Sequence, residues 1–403
     1  MKVKKKRLIS LFLVLISIFQ LFVPKAAIVV FAEEAAVETS AAKDTTAINV
    51  EANSALLMEP NTGKVLYEKN IHDKYAPASV TKIMTMLLAM EAIDSGRIKL
   101  TDTITVSENA KKMGGSSMIL ETGEVRTVEE IIKGIAIASG NDAAVAMAEY
   151  IGGSEENFVV MMNKKCEELG MKNTTFKNCT GLSADGHLST AYDISLMSRE
   201  LLKHPTILKY SSIYMETISE GRKTPIELVN HNKLVRFFKG CDGLKTGFTS
   251  EAKYCISATA TRDGVRMLSV IMGAPTFKVR NRDASMLMNY GFSKFESKVI
   301  VKKDDEVDKV SFDKKGDKFL MAKSCDEVRV VVEKGGNIET TKKIILNDNL
   351  KEIKQGQMIG KCEFYNGDVL VGTVNIYSDR DIKGNNLINN IKEFFTGIFE
   401  HAV

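Results

Sequence analysis

Residues 76–96 read APASVTKIMTMLLAMEAIDSG, from Ala76 to Gly96. Within them Ile83, Met86, Leu87, Met90 and Ile93 recur at the spacing of one helical face, and Gly96 stands just beyond as a stop signal. The spacing predicts an amphipathic helix opened at Ser79, with Lys82 one turn further on the same face. A serine at that point would serve as an N-cap. Paired with a lysine it has a second use, because a hydroxyl is a poor nucleophile until a nearby base removes its proton. Lys82 can do so only when neutral, and lowering a lysine from ~10.4 to about 7 takes roughly 4–5 kcal/mol. Burial and a second cation are the means available.

Working outward, Ala55 to Glu59, the turn Pro60-Asn61-Thr62-Gly63 and Lys64 to Glu68 predict a hairpin. On the other side Thr127-Val128-Glu129-Glu130 has the form of a capping box and opens a helix through Ala138. Asp142 to Tyr150 and Glu155 to Leu169 extend the helical pattern, broken only by Gly152-Gly153 and Gly170. After Gly240 the pattern returns to strands, Lys253 to Thr261 and Val265 to Met272, joined across Arg262-Asp263-Gly264. Strands first, helices in the middle and strands last imply one mixed antiparallel sheet packed by a helical lobe, an α/β (α+β) fold. From about Lys298 short strands alternate with polar turns (Glu327 to Glu333, Lys343 to Leu346, Asp368 to Tyr377), which predicts a small all-β C-terminal domain. A last apolar face, Leu387, Ile388, Ile391, Phe394, Phe395, Ile398 and Phe399, predicts a C-terminal amphipathic helix.

The chain has 403 residues, 44% of them hydrophobic, and a formal charge of +4. That charge is misleading as a guide to partners. Met1 to Arg7 is strongly basic and precedes an apolar run from Leu8 to Val23, which is shorter than the ~20 residues a membrane-spanning helix needs. Together with the small residues ending at Ala32 it reads as a secretory signal. Removing the six basic residues of 1–32 from the 55 Lys and Arg leaves 49 against 51 acidic groups. A nucleic-acid surface is therefore not implied. Cys166, Cys179, Cys241, Cys255, Cys325 and Cys362 contain no C-x-x-C pair and read as buried free thiols. The five histidines lie at least 17 residues apart, so no short zinc motif exists, and no metal or cofactor is expected. G-x-S-x-G, Walker and G-x-G-x-x-G patterns are missing too.

Two further short motifs follow the first: Ser139-Gly140-Asn141 and Lys245-Thr246-Gly247. The former falls in the tight break between two helices, where a hydroxyl can relay a proton and an amide can hold a substrate amide. On a strand facing the helix, Lys245 would add a second cation and attract an anionic substrate. Gly247 would let a substrate backbone approach that strand closely. A second S-x-x-K at Ser311 to Lys314 and a second S-x-N at Ser107 to Asn109 read as solvated surface.

With these motifs in order the chain resembles the low-molecular-mass penicillin-binding proteins, specifically the serine D-alanyl-D-alanine carboxypeptidases. The resemblance spans most of residues 50 to 383. It also rests on Ala76-Pro77-Ala78 before Ser79, Gly115-Ser116-Ser117-Met118, Asp142-Ala143, Gly181 to Gly186 with Ser189-Thr190-Ala191 and Asp193, Asp242-Gly243, and Thr276-Phe277-Lys278 before Arg280. It implies that Ser79 attacks the carbonyl between two terminal D-alanines of a peptidoglycan stem peptide, with Lys82 as base and Ser139 carrying the proton to the leaving amine. Backbone N–H groups of Ser79 and Phe248 would stabilise the oxyanion. Lys245, Thr246 and Arg280 would hold the terminal carboxylate, Gly247 would belong to the substrate-binding strand, and Asn141 would contact the substrate amide. β-Lactam antibiotics, which resemble D-Ala-D-Ala, would acylate Ser79. Two positions depart from the pattern: Phe248 replaces a histidine that follows K-T-G in relatives, and His231 stands where some carry arginine.

The resulting division is a signal peptide at 1–32, a linker at 33–50, a peptidase domain at 51–297, a β-rich domain at 298–383 and a helix at 384–403 that, as the resemblance implies, would clamp to the outer membrane leaflet, with packing on the β-rich domain as the alternative. The enzyme would act outside the cell membrane, at the cell wall. Three rivals share the motifs. A class A β-lactamase needs an E-x-x-L-N glutamate for its deacylating water, and Glu227-Leu228-Val229-Asn230 has the wrong spacing. A slow cell-wall binding protein and an endopeptidase of the same fold remain.

Overall fold

The computed structural model describes residues 48–218, 221–311, 319–347, 350 and 352–382. The signal at 1–32, nearly all of the linker, and the C-terminal helix at 384–403 lie outside the described residues.

The predicted hairpin is present as β1 (Ser54–Glu59) and β2 (Lys64–Lys69). Its partners come from far along the chain: β3 (Cys241–Thr249), β4 (Lys253–Arg262) and β5 (Val265–Ala274) complete a five-stranded sheet in the order β2-β1-β5-β4-β3. All its pairings are antiparallel. Every residue of β1 is buried, because the sheet is covered on both faces. Side chains alternate across a strand, so Leu56 and Met58 enter the core of the helical lobe while Ala55 and Leu57 enter a second core.

The lobe contains α1 (Lys82–Asp94), α2 (Val128–Ala136), α3 (Asn141–Gly152), α4 (Glu155–Glu168) and α5 (Ala191–Leu201). The capping box at Thr127 forms in full, with Glu130 N–H donating to the threonine hydroxyl and Glu130 accepting from Thr127 N–H. In two respects the reading of residues 76–96 needs correction. Helix α1 begins at Lys82, not Ser79, and Ser79 lies in a preceding 3-10 turn, Ala78–Thr81, without a side-chain cap. Nor is α1 amphipathic, since ten of its 13 residues are buried. It is the central helix of the lobe, so the apolar residues beside the expected stripe have neighbours as well.

Beyond the sheet, α6 (Phe277–Lys294) covers the second face with Ala284, Leu287 and Met288. Its Asp283 carboxylate accepts from the N–H groups of Glu51 and Ala52, tying the start of the fold to this helix. The C-terminal region is all β: β6 (Phe295–Val301) pairs with β9 (Val328–Glu333), and β7 (Glu306–Ser311), β8 (Phe319–Ser324), β12 (Val369–Ser378), β11 (Met358–Asn366) and β10 (Thr341–Leu346) form a sheet in that spatial order. Its separate core includes Leu320, Ile353, Ile359, Cys362 and Ile376. All six cysteines are free thiols, five buried and Cys325 half-buried.

Candidate active site

Strand β3 is an edge strand, and the Ser79 turn packs beside it. Two glycines make this approach possible. A Cβ on Gly247 would lie 2.9 Å from Pro77 O and 3.0 Å from Ser79 N, and one on Gly181 would lie 1.8 Å from Ala78 O. Gly181 also sits at φ +84°, where side chains are strained. Gly247 thus has a second reason beside the expected one: it admits the nucleophile-bearing turn itself. Ala78 and Ser139 hold φ +48° and +61°. Non-glycine residues in that region cost of order 1–3 kcal/mol each and persist only where the surroundings enforce them.

Lys82 is fully buried and donates three hydrogen bonds from Nζ: to Ser79 Oγ at 3.1 Å, Asn141 Oδ1 at 2.6 Å and Thr180 O at 2.7 Å. The serine hydroxyl is thus in contact with an amine, as proton transfer requires. Burial pushes Lys82 down to about 7, against the opposing pull of the Asp142 carboxylate. Of the two means available, burial is the dominant one. Lys245 is also buried and donates to Thr246 O at 2.9 Å. Burial, then Lys82 and then Arg280 hold it well below the ordinary lysine range. Arg280, on α6, lies near enough for its charge to act on Lys245, and burial lowers it to about 10. Among the described residues none of these three cations has a carboxylate salt-bridge partner. The cluster of cations is electrostatically incomplete and suited to an anion.

Asn141 also has a task within the protein. Its Oδ1 accepts from Lys82, and its Nδ2 donates to Gly114 O at 2.6 Å, so both ends of the amide are used within the protein and the residue orients the lysine. Ser139, buried two residues earlier, occupies the helix break between α2 and α3. The neighbouring Asp142 accepts from Ser117 Oγ and from the N–H groups of Met118, Leu120 and Ala143, which pins the 115–120 segment to α3. Phe248 is exposed and stacks on Tyr254 with ring centroids 4.4 Å apart, and Tyr254 meets Phe277 edge-on. His231 is exposed between buried Asn230 and Asn232, and Asn232 donates to Gly243 O, so it borders β3. Sequence reasoning missed Thr180, which contributes a backbone carbonyl, and His187, which contacts Thr81. Of the second copies of the motifs, Ser107 is a helix cap accepting from Ala110 N–H, and Ser311 ends β7.

A family model described as D-alanyl-D-alanine carboxypeptidase matches residues 38–276, and one for the C-terminal domain of penicillin-binding protein 5 matches residues 295–384. D-alanyl-D-alanine carboxypeptidase DacF of Bacillus subtilis is 45% identical over 352 residues, covering 87% of this chain and 90% of that protein. DacC of Escherichia coli is 35% identical and covers 85% and 84%. Among solved structures, penicillin-binding protein 5 of Haemophilus influenzae superposes with a TM-score of 0.62 at 30% identity, covering 83% of this chain and 98% of that one. Penicillin-binding protein 3 of Streptococcus pneumoniae superposes with a TM-score of 0.68 at 26% identity, covering 83% and 100%.

Proposed function

This chain belongs to the D-alanyl-D-alanine carboxypeptidases, and from that premise we propose that Ser79, Lys82 and Ser139 carry its reaction. The enzyme removes the terminal D-alanine of peptidoglycan stem peptides. Neutral Lys82 takes the Ser79 proton as Oγ attacks the scissile carbonyl. The C–N bond then breaks, the leaving amine gains a proton relayed through Ser139, and the stem remains as an ester on Ser79. Water hydrolyses that ester and restores the hydroxyl. Backbone N–H groups of Ser79 and Phe248 hold the oxyanion, a reading supported by the close approach of Gly247 to Ser79 N. Lys245, Thr246 and Arg280 receive the terminal carboxylate, and its charge in turn favours their protonated forms. Penicillin carries the same carboxylate beside a strained acyl group and acylates Ser79.

The single observation that carries this assignment is the 3.1 Å contact from Lys82 Nζ to Ser79 Oγ, close to the buried cations Lys245 and Arg280. Incubation with a pentapeptide ending in D-Ala-D-Ala tests it. Release of D-alanine that Ser79→Ala abolishes supports the assignment, and release that survives Ser79→Ala overturns it.

The division into a peptidase domain at 51–297 and a β-rich domain at 298–383 belongs to the same proposal. So do export by residues 1–32 and attachment of the 384–403 helix to the outer leaflet, both supported by the sequence pattern. No helix among the described residues is long and apolar enough to cross a membrane.

A further inference from the structure

The Ala78–Thr81 turn has no side-chain cap of its own, and its first residue is held at a strained φ of +48°. Something outside it must hold it. Glycines 181 and 247 supply close contact but no directional bond. The segment 177–187 supplies the bonds. Lys82 donates to Thr180 O, Thr85 donates to Cys179 O, and Thr81 Oγ1 meets His187 Nε2 at 2.8 Å. Of these the histidine contact alone reaches the turn itself.

The direction of that bond follows from the other ring nitrogen. Lys177 N–H donates to His187 Nδ1 at 3.1 Å, so Nδ1 is the acceptor and the proton sits on Nε2. The imidazole therefore donates to the Thr81 hydroxyl. It is buried, and its ring packs edge-on against Phe176 with centroids 5.6 Å apart, which leaves it little freedom to turn. Burial and the Lys177 ammonium hold it neutral. Thr81 lies two residues after Ser79 and immediately before Lys82, so a fixed Thr81 fixes both.

We propose that His187 is a positioning residue for acylation, whose Nε2–H bond to Thr81 holds the Ser79 turn in register with the lysine base. This rests on Ser79 being the nucleophile. A displacement near 1 Å at a reacting atom can cost about 100-fold in rate.

The test compares two amides at position 187 in the full chain, using acylation by a fluorescent penicillin. Glutamine places its terminal amide near Nε2 and keeps a donor for Thr81, whereas asparagine places its amide near Nδ1 and keeps only the bond to Lys177 N–H. Expected is a first-order acylation constant within about threefold of wild type for His187→Gln and about 10- to 100-fold lower for His187→Asn. The non-covalent dissociation constant stays unchanged in both. Thr81→Val lowers acylation to a similar degree, and adding His187→Asn to it slows the reaction no further, since the two residues act through one bond. Equal rates for the two position-187 variants, or additive losses in the double variant, overturn the proposal. Should His187→Asn fail to fold, Thr81→Val decides alone, because wild-type acylation by it is equally fatal. Wild-type protein that is not acylated at all would indict the nucleophile assignment, a separate failure.

Discussion

Raising the pH from 6 to 8 changes the supply of neutral Lys82 about tenfold, and acylation should follow it. Burial lowers this lysine from the ordinary 10.5 to about 7, a displacement worth about 5 kcal/mol at 1.36 per unit. With a midpoint near 7 the amine is neutral in about 9% of molecules at pH 6, half at pH 7 and about 91% at pH 8. The second-order constant for penicillin acylation reports the free enzyme, and the penicillin carboxylate stays ionised throughout, so it adds no step of its own. Stopped-flow or quenched labelling from pH 5 to 10 should show a rise of about tenfold per unit below pH 6.5 that levels off near pH 8, followed by a fall where Lys245, itself held below the ordinary lysine range, loses its charge. A lysine kept near 10.5 would instead continue to gain tenfold per unit through pH 9. That result, or a profile flat from pH 6 to 8, would refute the claim that burial prepares Lys82 as the base.

Three further outcomes are expected. Gly181→Ala should lose about 2–4 kcal/mol of stability and nearly all acylation, because its Cβ meets the Ala78 carbonyl, whereas Gly96→Ala, also at positive φ but in open space, should cost about 1 kcal/mol and leave acylation intact. Thermal melts and penicillin labelling distinguish them. His187 has a folded value of about 4 against about 6.5 unfolded, a depressed case, so its contribution of about 3 kcal/mol is fully present above pH 6.5 and is lost as the pH falls toward 4. The urea midpoint of wild type should therefore fall relative to that of His187→Gln, which has no such group to titrate, as the pH is lowered from 7 to 4.5. Removal of residues 384–403 should abolish sedimentation with phospholipid vesicles while D-alanine release from a soluble peptide persists.

Much of this architecture is legible locally. The hairpin at Pro60–Gly63, the capping box at Thr127 and the glycine-terminated helices are signalled by residues within a few positions of one another, and all three form. Helices α5 and α6 escape notice for a physical reason. Their buried faces include Asp193, Ser195 and Ser198 in one and Arg280, Asp283 and Gly291 in the other. Polar residues whose partners come from distant segments erase the apolar period by which a helix is read. The same holds at the site. Ser79, Lys82, Ser139 and Lys245 stand out through short motifs, but the carbonyl of Thr180, the imidazole of His187 and the fit of Gly181 against Ala78 depend on contacts across about 100 residues. Asn141 was legible as a site residue but not as the group that orients Lys82, since its two partners are 59 and 27 residues away.

The central claim is that one hydroxyl, that of Ser79, carries the acyl group. Trypsin cleavage after Lys74 and Lys82 isolates Tyr75–Lys82, whose one serine is Ser79, while Ser139 falls in a different peptide. Mass spectrometry of the penicillin-treated protein should find one adduct per chain, on Tyr75–Lys82, and none after Ser79→Ala. An adduct on the Ser139 peptide, or one that persists in Ser79→Ala, would contradict the account.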